Sequence, residues 1–563
     1  MIQTQQMSLF PTRSVAELVE DIELLTEEIQ ELYCLDDIPW VIGYSGGKDS
    51  TAVLQLIWNA IAKLPQSKRT KKIDVITTDT LVENPIVSSW VRKSIKQMNA
   101  AAIEQEMPLN THVLQPEFTE TFWVGLIGKG YPAPRGKFRW CTDRLKISPS
   151  NHFIRNIIRS SGETILVLGT RKAESTKRAH RMKKMEARRV RARLSPNMNL
   201  PNSLVYSPIE DWRDDEVWLY LMQCDNPWGY SNKDLFAMYR GASADNECPL
   251  VVDTSTPSCG SSRFGCWVCT MVSQDKSLTA MIQNDEEKEW LQPLLDFRVE
   301  LDVEDSRDRR DFRRRNGNVQ LYERNLEGEK SIEPIPGPYS KEARDYLLKR
   351  LLSVQTEIRS KAPEEMRDIT LITPEELSEI RRIWLEERHE FDDSLPRIYE
   401  EVTGEPFVDI RPATERKFLG SDEWAVLAEI CSEENEDNMH LELMAKLLDT
   451  ERQYYTKPNR KGIYGDLDRC FETSSRSKEE AISNAHYQRN LKQAIADVKV
   501  NPLEKIQQFK DAIIQTNKSA KNKSVDVAKL KEELETDNSE GRQLSWADVK
   551  FSSPNVGGKN SNG

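Results

Sequence analysis

Apolar residues in the first 240 positions follow two alternating spacings. From about residue 14 to residue 32 they recur every three to four positions, which predicts an amphipathic helix. Further along, short apolar or β-branched runs alternate with stretches of helical spacing, which predicts strands separated by helices. The predicted strands are 40–44, 73–77, 112–114, 165–168 and 204–206, and the predicted helices between them are 50–64, 85–98 and 150–160.

Strands that alternate with helices predict parallel crossover connections and therefore an α/β fold with a doubly wound parallel sheet. After about residue 283, charged segments of helical spacing such as 339–361 and 374–388 predict a mainly helical C-terminal region. From about residue 516, polar residues and glycine dominate, which predicts disorder. The predicted organisation is an N-terminal helix (1–37), a nucleotide domain (38–240), a cysteine-rich insert (241–282), a helical region (283–515) and a disordered tail (516–563).

Composition adds two expectations. The chain has 563 residues, of which 38% are hydrophobic and 30% charged, so it exceeds one hydrophobic core and has a soluble composition. No stretch approaches the roughly 18 apolar residues of a membrane span, and the N-terminus lacks a basic region before an apolar run. A cytoplasmic protein with no membrane partner is therefore expected.

The segment 41–50, VIGYSGGKDS, combines an apolar strand, a glycine turn and the start of a helix. Adjacent glycines let the backbone approach phosphate oxygens, a helix N-terminus offers unpaired N–H groups, and Lys48 can neutralise phosphate charge. Because Lys48 is followed by Asp49, the segment is not a Walker A loop. Asp79 follows the second predicted strand and is a candidate for adenosine or metal contact, with an ordinary strand-end turn as the alternative.

The string Ser-Gly-Gly-Lys-Asp-Ser at 45–50 resembles the PP-loop of ATP pyrophosphatases. The resemblance implies that ATP is cleaved between its α and β phosphates, with Lys48 and Asp49 as catalytic residues and Asp49 as the holder of Mg²⁺. It implies a set of nucleotide-binding residues along the whole loop: Ser45, Gly46, Gly47, Lys48, Asp49 and Ser50.

Three further segments, 138–146, 168–178 and 207–218, extend this likeness. With the loop, they resemble the phosphoadenosine-phosphosulfate reductase superfamily over about residues 38–225. The resemblance implies that Gly169 and Arg171 contact nucleotide phosphates, for which an arginine fork is suited. The chain lacks the C-terminal Glu-Cys-Gly-x-His nucleophile of true reductases, which disfavours sulfate reduction.

Within that superfamily, the chain resembles DNA-phosphorothioation sulfurtransferases of the DndC type. The resemblance implies that ATP adenylylates a DNA backbone phosphate, and that a sulfur nucleophile then expels AMP and replaces a non-bridging oxygen. It also implies a cysteine desulfurase as sulfur donor and other DNA-phosphorothioation proteins as partners. Two alternatives remain: a PP-loop enzyme that thiolates tRNA or processes sulfate nucleotides, and a non-catalytic nucleotide- and DNA-binding scaffold.

Four of the nine cysteines cluster with the spacing C-x10-C-x6-C-x2-C at Cys248, Cys259, Cys266 and Cys269. Four thiolates with a terminal Cys-x-x-Cys suit an iron–sulfur cluster or tetrahedral zinc. Glycine and serine between these residues, and the family resemblance, favour [4Fe–4S] over zinc. Cys141 stands apart in the sequence and is a candidate sulfur carrier, with a buried small hydrophobe as the alternative.

The segment 171–193 is strongly basic, with eleven Lys or Arg against two Glu, although the whole chain has a net charge of −12. Such a stretch attracts a phosphate backbone, and the alternative is a solvated helix face or a docking surface for an acidic partner. A second segment, 307–315, has six arginines. The candidate nucleic-acid-binding residues are Arg188, Arg189, Arg191 and Arg193.

Overall fold

The computed structural model describes ten stretches of the chain between residues 13 and 500. They are 13–136, 138–191, 193–242, 264–303, 306–326, 329–410, 421–434, 439–455, 457–474 and 477–500. The predicted disordered tail and two of the clustered cysteines, Cys248 and Cys259, lie outside these residues. The chain divides into two compact units, a larger one of residues 1–317 and 336–475 and a smaller one of 318–335 and 476–563.

A six-stranded sheet lies in the larger unit, with the strand order β3-β2-β1-β4-β6-β5. All neighbouring strands are parallel except β5, which runs antiparallel to β6. Because the chain winds outward from β1 in one direction and then returns to its other side at β4, the sheet reverses its order between these two strands. The strands are β1 Trp40–Gly43, β2 Ile73–Thr78, β3 Leu109–Leu114, β4 Thr164–Val167, β5 Ser195–Pro196 and β6 Ser203–Tyr206.

The α/β fold and the parallel sheet predicted from the sequence are confirmed, and the five predicted strands are all present. The strand β5 was not predicted, because two residues carry no periodic signal. The helices of this part are α1 Val15–Leu35, α2 Lys48–Ala62, α3 Pro85–Glu104, α4 Trp140–Thr142, α5 Ser148–Ser161, α6 Thr176–Glu186, α7 Asp214–Gln223 and α8 Asn232–Gly241.

Local chemistry fixes where the helices begin. Ser14 closes a capping box at the start of α1, and Asn84 caps α3 ahead of a proline at its first position. The helix α2 begins at Lys48, two residues before the predicted start at residue 50. The cause is that the carbonyl of Gly47 already accepts the first helical hydrogen bond, from the amide of Thr51 at 3.0 Å.

The described residues from 264 onward are mainly helical, as predicted, and no described helix is long and apolar enough to cross a membrane. The exception is an antiparallel hairpin of β7 Leu321–Leu326 and β8 Glu329–Pro334, which the sequence analysis did not predict. The helices are α9 Lys276–Asn284, α10 Gln292–Leu301, α11 Lys341–Lys361, α12 Pro374–Arg382, α13 Ser394–Thr403, α14 Ser421–Glu434, α15 Met439–Tyr455, α16 Ile463–Ser474 and α17 Lys478–Val500.

The larger unit contains two main hydrophobic cores. The first, called here the sheet core, packs β1, β2 and β4 against α1, α2, α3 and α7. The second, called here the helical core, is built from three segments that are distant in sequence: 122–145, 267–301 and 339–398. The segment 122–145 lies within the predicted nucleotide domain but packs with the helical region, so the two parts share buried surface.

Candidate nucleotide-binding site

The phosphate loop lies between β1 and α2, at the carboxyl end of a central strand. Gly46 adopts a φ of +72°, and a Cβ atom there would lie 2.4 Å from the Val91 side chain, so only glycine fits. The Ser50 hydroxyl accepts a hydrogen bond from the Ser45 amide (3.2 Å) and donates one to the Gly47 carbonyl (3.0 Å). The loop is therefore held in a fixed turn by its own side chains.

Two cations and two carboxylates form a network beside this loop. The Arg171 Nε donates to Asp49 at 2.8 Å, and its Nη2 donates to Asp214 at 2.8 Å. The Lys48 Nζ lies 3.2 Å from the same Asp214 carboxylate and 4.0 Å from Asp49. Both cations are nearly buried, with 5% of Lys48 and 2% of Arg171 exposed, so their positions are set by these carboxylates.

Burial and charge act in opposite directions on Arg171. Loss of solvent works to lower the pKa of this guanidinium, but the carboxylates of Asp49 and Asp214 outweigh that effect and raise it. Arg171 therefore stays charged in a position where water is largely excluded. Because Asp49 and Asp214 already accept hydrogen bonds from Arg171, a phosphate would bind this charge in competition with those carboxylates.

Close packing brings three distant segments against the loop. A Cβ atom on Gly169 would lie 2.8 Å from the Asp49 backbone, so glycine is required where β4 passes the start of α2. The hydroxyl of Tyr239, on α8, accepts a hydrogen bond from the Lys48 amide at 3.3 Å, and its ring lies under the Lys48 ammonium, 5.2 Å away. Burial raises the pKa of Tyr239, so the ring stays neutral.

Asp79 lies at the end of the neighbouring strand β2. One of its carboxylate oxygens accepts from the amide of Leu81 at 3.0 Å, and the other accepts from Arg92 at 3.0 Å. Asp79 is thus tied into its own strand-end turn, and its predicted contact with nucleotide or metal stays a prediction.

A magnesium ion would find oxygen ligands in this network. Mg²⁺ is commonly held by one or two protein carboxylates together with substrate phosphates and water. Asp49 and Asp214 lie beside the loop, and the Oδ2 atom of Asp214 is buried without a hydrogen-bond partner among the described residues. The residues present therefore fit a Mg²⁺ ion that arrives with ATP.

The described half of the cysteine cluster is a turn attached to the strand-end loop after β2. The Cys269 amide donates to the Cys266 carbonyl (3.0 Å), the Trp267 amide donates to the Val82 carbonyl (3.1 Å), and the Thr80 hydroxyl lies 3.4 Å from the Cys266 sulfur. Within the stretches that the structure describes, no three potential ligands are grouped to hold a metal. The four-cysteine site stays a prediction, since its other two members lie outside those stretches.

Cys141 lies near this turn, although it is distant in sequence. Burial raises the pKa of the Cys141 thiol, and the neighbouring Cys269 raises it further. Burial acts to lower the pKa of Lys146, but the surrounding Cys266, Glu83 and other thiols reverse the direction and raise it. The structure therefore brings three thiols and the cation of Lys146, whose side chain is 47% exposed, into the same neighbourhood. A sulfur-carrying role of Cys141 stays a prediction.

Three of the four arginines proposed for nucleic-acid binding have partners within the protein. Arg189 pairs with Glu210 at 2.6 Å, Arg191 pairs with Asp36 at 3.0 Å, and Arg193 pairs with Glu28 at 2.8 Å. Arg188 has no ion pair among the described residues and contacts only the sulfur of Met198, at 3.7 Å. These contacts fasten the chain after α6 to other parts of the sheet domain.

Two residues of the site were missed by sequence reasoning. Asp214 lies in the segment 207–218, whose resemblance was noted without a role for this carboxylate. Its position as the first residue of α7 gave a signal, because acidic residues there are common helix-start residues and can also face a site. Tyr239 gave no signal, since its contact with the loop spans 191 residues.

Residues 39–271 match the model of the phosphoadenosine phosphosulfate reductase domain. A protein of Methanocaldococcus jannaschii, MJ0066, described as uncharacterized, is 27% identical over 190 residues, which are 34% of this chain and 32% of that protein. The chain thus spans about a third of the length of this relative. The matched domain and the observed sheet give the described residues between 39 and 242 the PP-loop fold of this reductase domain, and a helical region follows it.

Two solved structures are also similar to the chain. The phosphoadenylyl-sulfate reductase of Candida auris, in a phosphate complex, has 16% identity and a TM-score of 0.25, and the match covers 40% of this chain and 93% of that one. The U34-tRNA thiolase NcsA of Methanococcus maripaludis, with its [4Fe-4S] cluster, has 12% identity and a TM-score of 0.26, and the match covers 52% and 81% respectively.

Proposed function

We propose that this chain, which carries a phosphoadenosine phosphosulfate reductase domain, is an ATP-dependent sulfurtransferase that modifies the DNA backbone. The reaction would be that of the DndC-type DNA-phosphorothioation proteins, which the sequence resembles. The observation that carries the ATP part is the pair of buried cations, Lys48 and Arg171, held by Asp49 and Asp214 beside the phosphate loop.

In the first step, a non-bridging oxygen of a DNA phosphate attacks the α-phosphorus of ATP. A new P–O bond forms, the bond from the α-phosphorus to the bridging oxygen breaks, and pyrophosphate leaves. Lys48 and Arg171 would bind the β and γ phosphates, whose negative charge increases as the bond breaks. Mg²⁺ held by Asp49 and Asp214 would supply further charge neutralisation for the leaving group.

In the second step, sulfur at the oxidation level of hydrogen sulfide attacks the adenylylated DNA phosphorus. A P–S bond forms, the P–O bond to the adenylate breaks, and AMP leaves with the oxygen. A cysteine desulfurase would supply the sulfur as a persulfide on Cys141, the candidate carrier in this chain. An external thiol reductant would supply the two electrons that release it as sulfide and would itself become a disulfide. The four clustered cysteines are the candidate holders of a [4Fe–4S] group. Other DNA-phosphorothioation proteins would be the partners of the complex.

The experiment that tests this proposal is mass spectrometry of nuclease-digested host DNA. Phosphorothioate-linked dinucleotides are expected in the wild type and should be absent after a chromosomal Asp49→Ala change, because that variant loses a carboxylate that holds Arg171. A matched control is Asp37→Ala, which removes an exposed carboxylate outside the site and should leave the modification at its wild-type level.

The outcomes separate the parts of the proposal. Phosphorothioates that persist in Asp49→Ala, with the protein expressed, would contradict the role of this ATP site. A wild type that expresses the protein and contains no phosphorothioate would contradict DNA as the acceptor. In that case, pyrophosphate release by the purified protein with tRNA or with adenosine phosphosulfate would identify the acceptor class.

A further inference from the structure

We infer that the outer face of α6 and the turn after it form a binding surface for duplex DNA. The surface consists of Lys177, Arg181 and Lys184 on the helix and Arg188 in the turn. This surface is called here the α6 stripe. The inference rests on the proposed function, in which DNA is the acceptor, and it specifies where on the protein the duplex lies. It replaces most of the residues that the basic segment alone suggested, because only Arg188 belongs to both sets.

The α6 stripe is exposed and unpaired. All four of its side chains are exposed, and none forms an ion pair within the stretches that the structure describes. The acidic residues close to them in sequence are already engaged, since Glu174 pairs with Arg178 and Glu186 pairs with Lys172. Four positive charges therefore face solvent without a carboxylate to neutralise them.

Apart from Lys183, which is also exposed and forms no ion pair among the described residues, the other cations of the same segment behave differently. Arg178, Arg189, Arg191 and Arg193 each pair with a carboxylate of this protein. To contact a DNA phosphate, each of these arginines would have to lose its carboxylate partner. That loss would offset part of the free energy gained by binding DNA. The segment thus separates into one set of cations that fastens the fold and another that is free to bind an external anion.

The spacing of the α6 stripe matches a duplex backbone. The positions 177, 181 and 184 recur every three to four residues, which places them on one side of α6, and Arg188 follows in the turn after the helix ends. At about 1.5 Å per residue the three helical positions span roughly 10 Å. One DNA strand carries a phosphate about every 3.4 Å along the axis, so this length corresponds to about three phosphates.

The position of α6 links the stripe to the ATP site. The helix begins at Thr176, capped by Ser175, only five residues after Arg171 contacts Asp49. A duplex that follows the stripe toward the start of α6 therefore approaches the carboxyl edge of the sheet, where the phosphate loop lies.

The chemistry of the α6 stripe favours a duplex over a protein partner or a single strand. Protein interfaces are enriched in aromatic side chains and depleted of lysine at their centre, whereas the stripe has no aromatic residue and two of its four residues are lysine. Binding of single strands commonly uses aromatic side chains for base stacking, and the segment 176–188 contains none.

The test is fluorescence anisotropy of a labelled DNA duplex over a salt series, with the full-length protein. The variant combines Lys177→Gln, Arg181→Gln, Lys184→Gln and Arg188→Gln. Each phosphate contact contributes about 0.9 to the slope of log K against log salt, so the slope should fall by about two to four. Between 50 and 200 mM salt, four lost contacts correspond to a difference of about 100-fold in the salt sensitivity of binding.

The charge-matched control combines Arg178→Gln, Arg189→Gln, Arg191→Gln and Arg193→Gln. It removes the same charge but should keep most of the wild-type slope, while its thermal melting temperature falls because four ion pairs are lost. If the combined control does not fold, its single variants provide the same comparison.

An unchanged slope in the stripe variant, or an equal loss in the control, would overturn the inference. So would a wild type that does not bind the duplex, or that binds an RNA hairpin of equal length more tightly. A smaller salt slope in the stripe variant, together with host DNA that lacks phosphorothioate, would refute the proposed function. The same result would still support the DNA-binding surface.

Discussion

The phosphate loop and the helical core are assembled in opposite ways. Ten consecutive residues, 41–50, supply the strand, the turn and the helix start that define the loop. The helical core instead joins three segments, the first of which lies more than a hundred residues before the other two. Its centre is a group of rings: Trp123 lies 5.8 Å from Trp267 and 6.0 Å from Phe297. One region is encoded locally, and the other exists only after long-range packing.

The phosphate loop and the helical core also position their reactive groups differently. At the loop, local geometry sets the backbone, and distant residues such as Arg171 and Asp214 then supply charge. At the helical core, burial of Trp267 fixes the Cys266–Cys269 turn, with no locally encoded loop of comparable rigidity. Substitutions that remove buried apolar contacts should therefore disturb the cysteine turn more than the loop. Substitutions that remove charges should disturb the loop more than the cysteine turn.

The largest expected effect in this comparison is on stability, from Trp267→Ala. Trp267 is 1% exposed and contacts two aromatic rings, so its removal leaves a large cavity. Loss of such a side chain costs about 3–5 kcal/mol of unfolding free energy, measured by urea denaturation. The control Phe138→Ala removes a ring that is 46% exposed and should change stability by no more than about 0.5 kcal/mol. A loss below about 1 kcal/mol for Trp267→Ala would show that the rings do not hold this core together.

The same contrast explains what could be predicted from the sequence. The five main strands and the phosphate loop have periodic or contiguous signals, and the structure contains them. Gly46 and Gly169 could be singled out because glycine in such loops permits a backbone approach that no other residue allows. The fold of the sheet domain was therefore accessible from local pattern alone.

The remainder depends on contacts between distant positions. The hairpin of β7 and β8 lies in a charged region, so its strands show no apolar alternation. The pairing of Arg189, Arg191 and Arg193 with carboxylates on other segments could not be read from their basic segment. Nor did sequence place Cys141 near Cys269, because the two are joined only through the helical core.

The next effect, on catalysis, is expected from Asp214→Asn. The amide keeps the shape but removes the charge that holds Lys48 and Arg171 together. Misplaced cations should lower the rate of pyrophosphate release by about 100-fold, mainly through kcat, because a small misalignment of positioning groups costs about this much. The control Asp215→Asn changes the adjacent carboxylate, which pairs with Arg213 instead, and should retain activity.

A rise in KM with unchanged kcat would show instead that Asp214 contributes only to binding of ATP. Unchanged turnover would remove Asp214 from the site. Either result would weaken the view that distant carboxylates complete a locally encoded loop.

The smallest effect is a pH-dependent change in stability from Glu376, which lies at the edge of the helical core. Burial raises the pKa of this carboxyl to about 7, although the Thr373 amide donates to one of its oxygens at 2.9 Å. The other oxygen, Oε1, has no hydrogen-bond partner among the described residues. Folding favours the protonated form of Glu376, so this group contributes its full stabilisation of the folded state below the unfolded pKa of about 4.5. That stabilisation is lost as the pH rises through the folded pKa of about 7.

Glu376→Gln should remove this dependence, since glutamine is neutral at every pH and can still accept from the Thr373 amide. In urea denaturation, the variant should match the wild type at pH 4 and exceed its stability at pH 8 by about 1–3 kcal/mol. Glu375→Gln, at the exposed neighbouring position, should leave the pH dependence unchanged. Parallel curves for Glu376→Gln and the wild type would mean that the carboxyl is solvated in the folded protein. Water would then reach this edge of the helical core, although its packing indicates burial. The helical core and the charged phosphate loop would then differ less in their exposure to solvent.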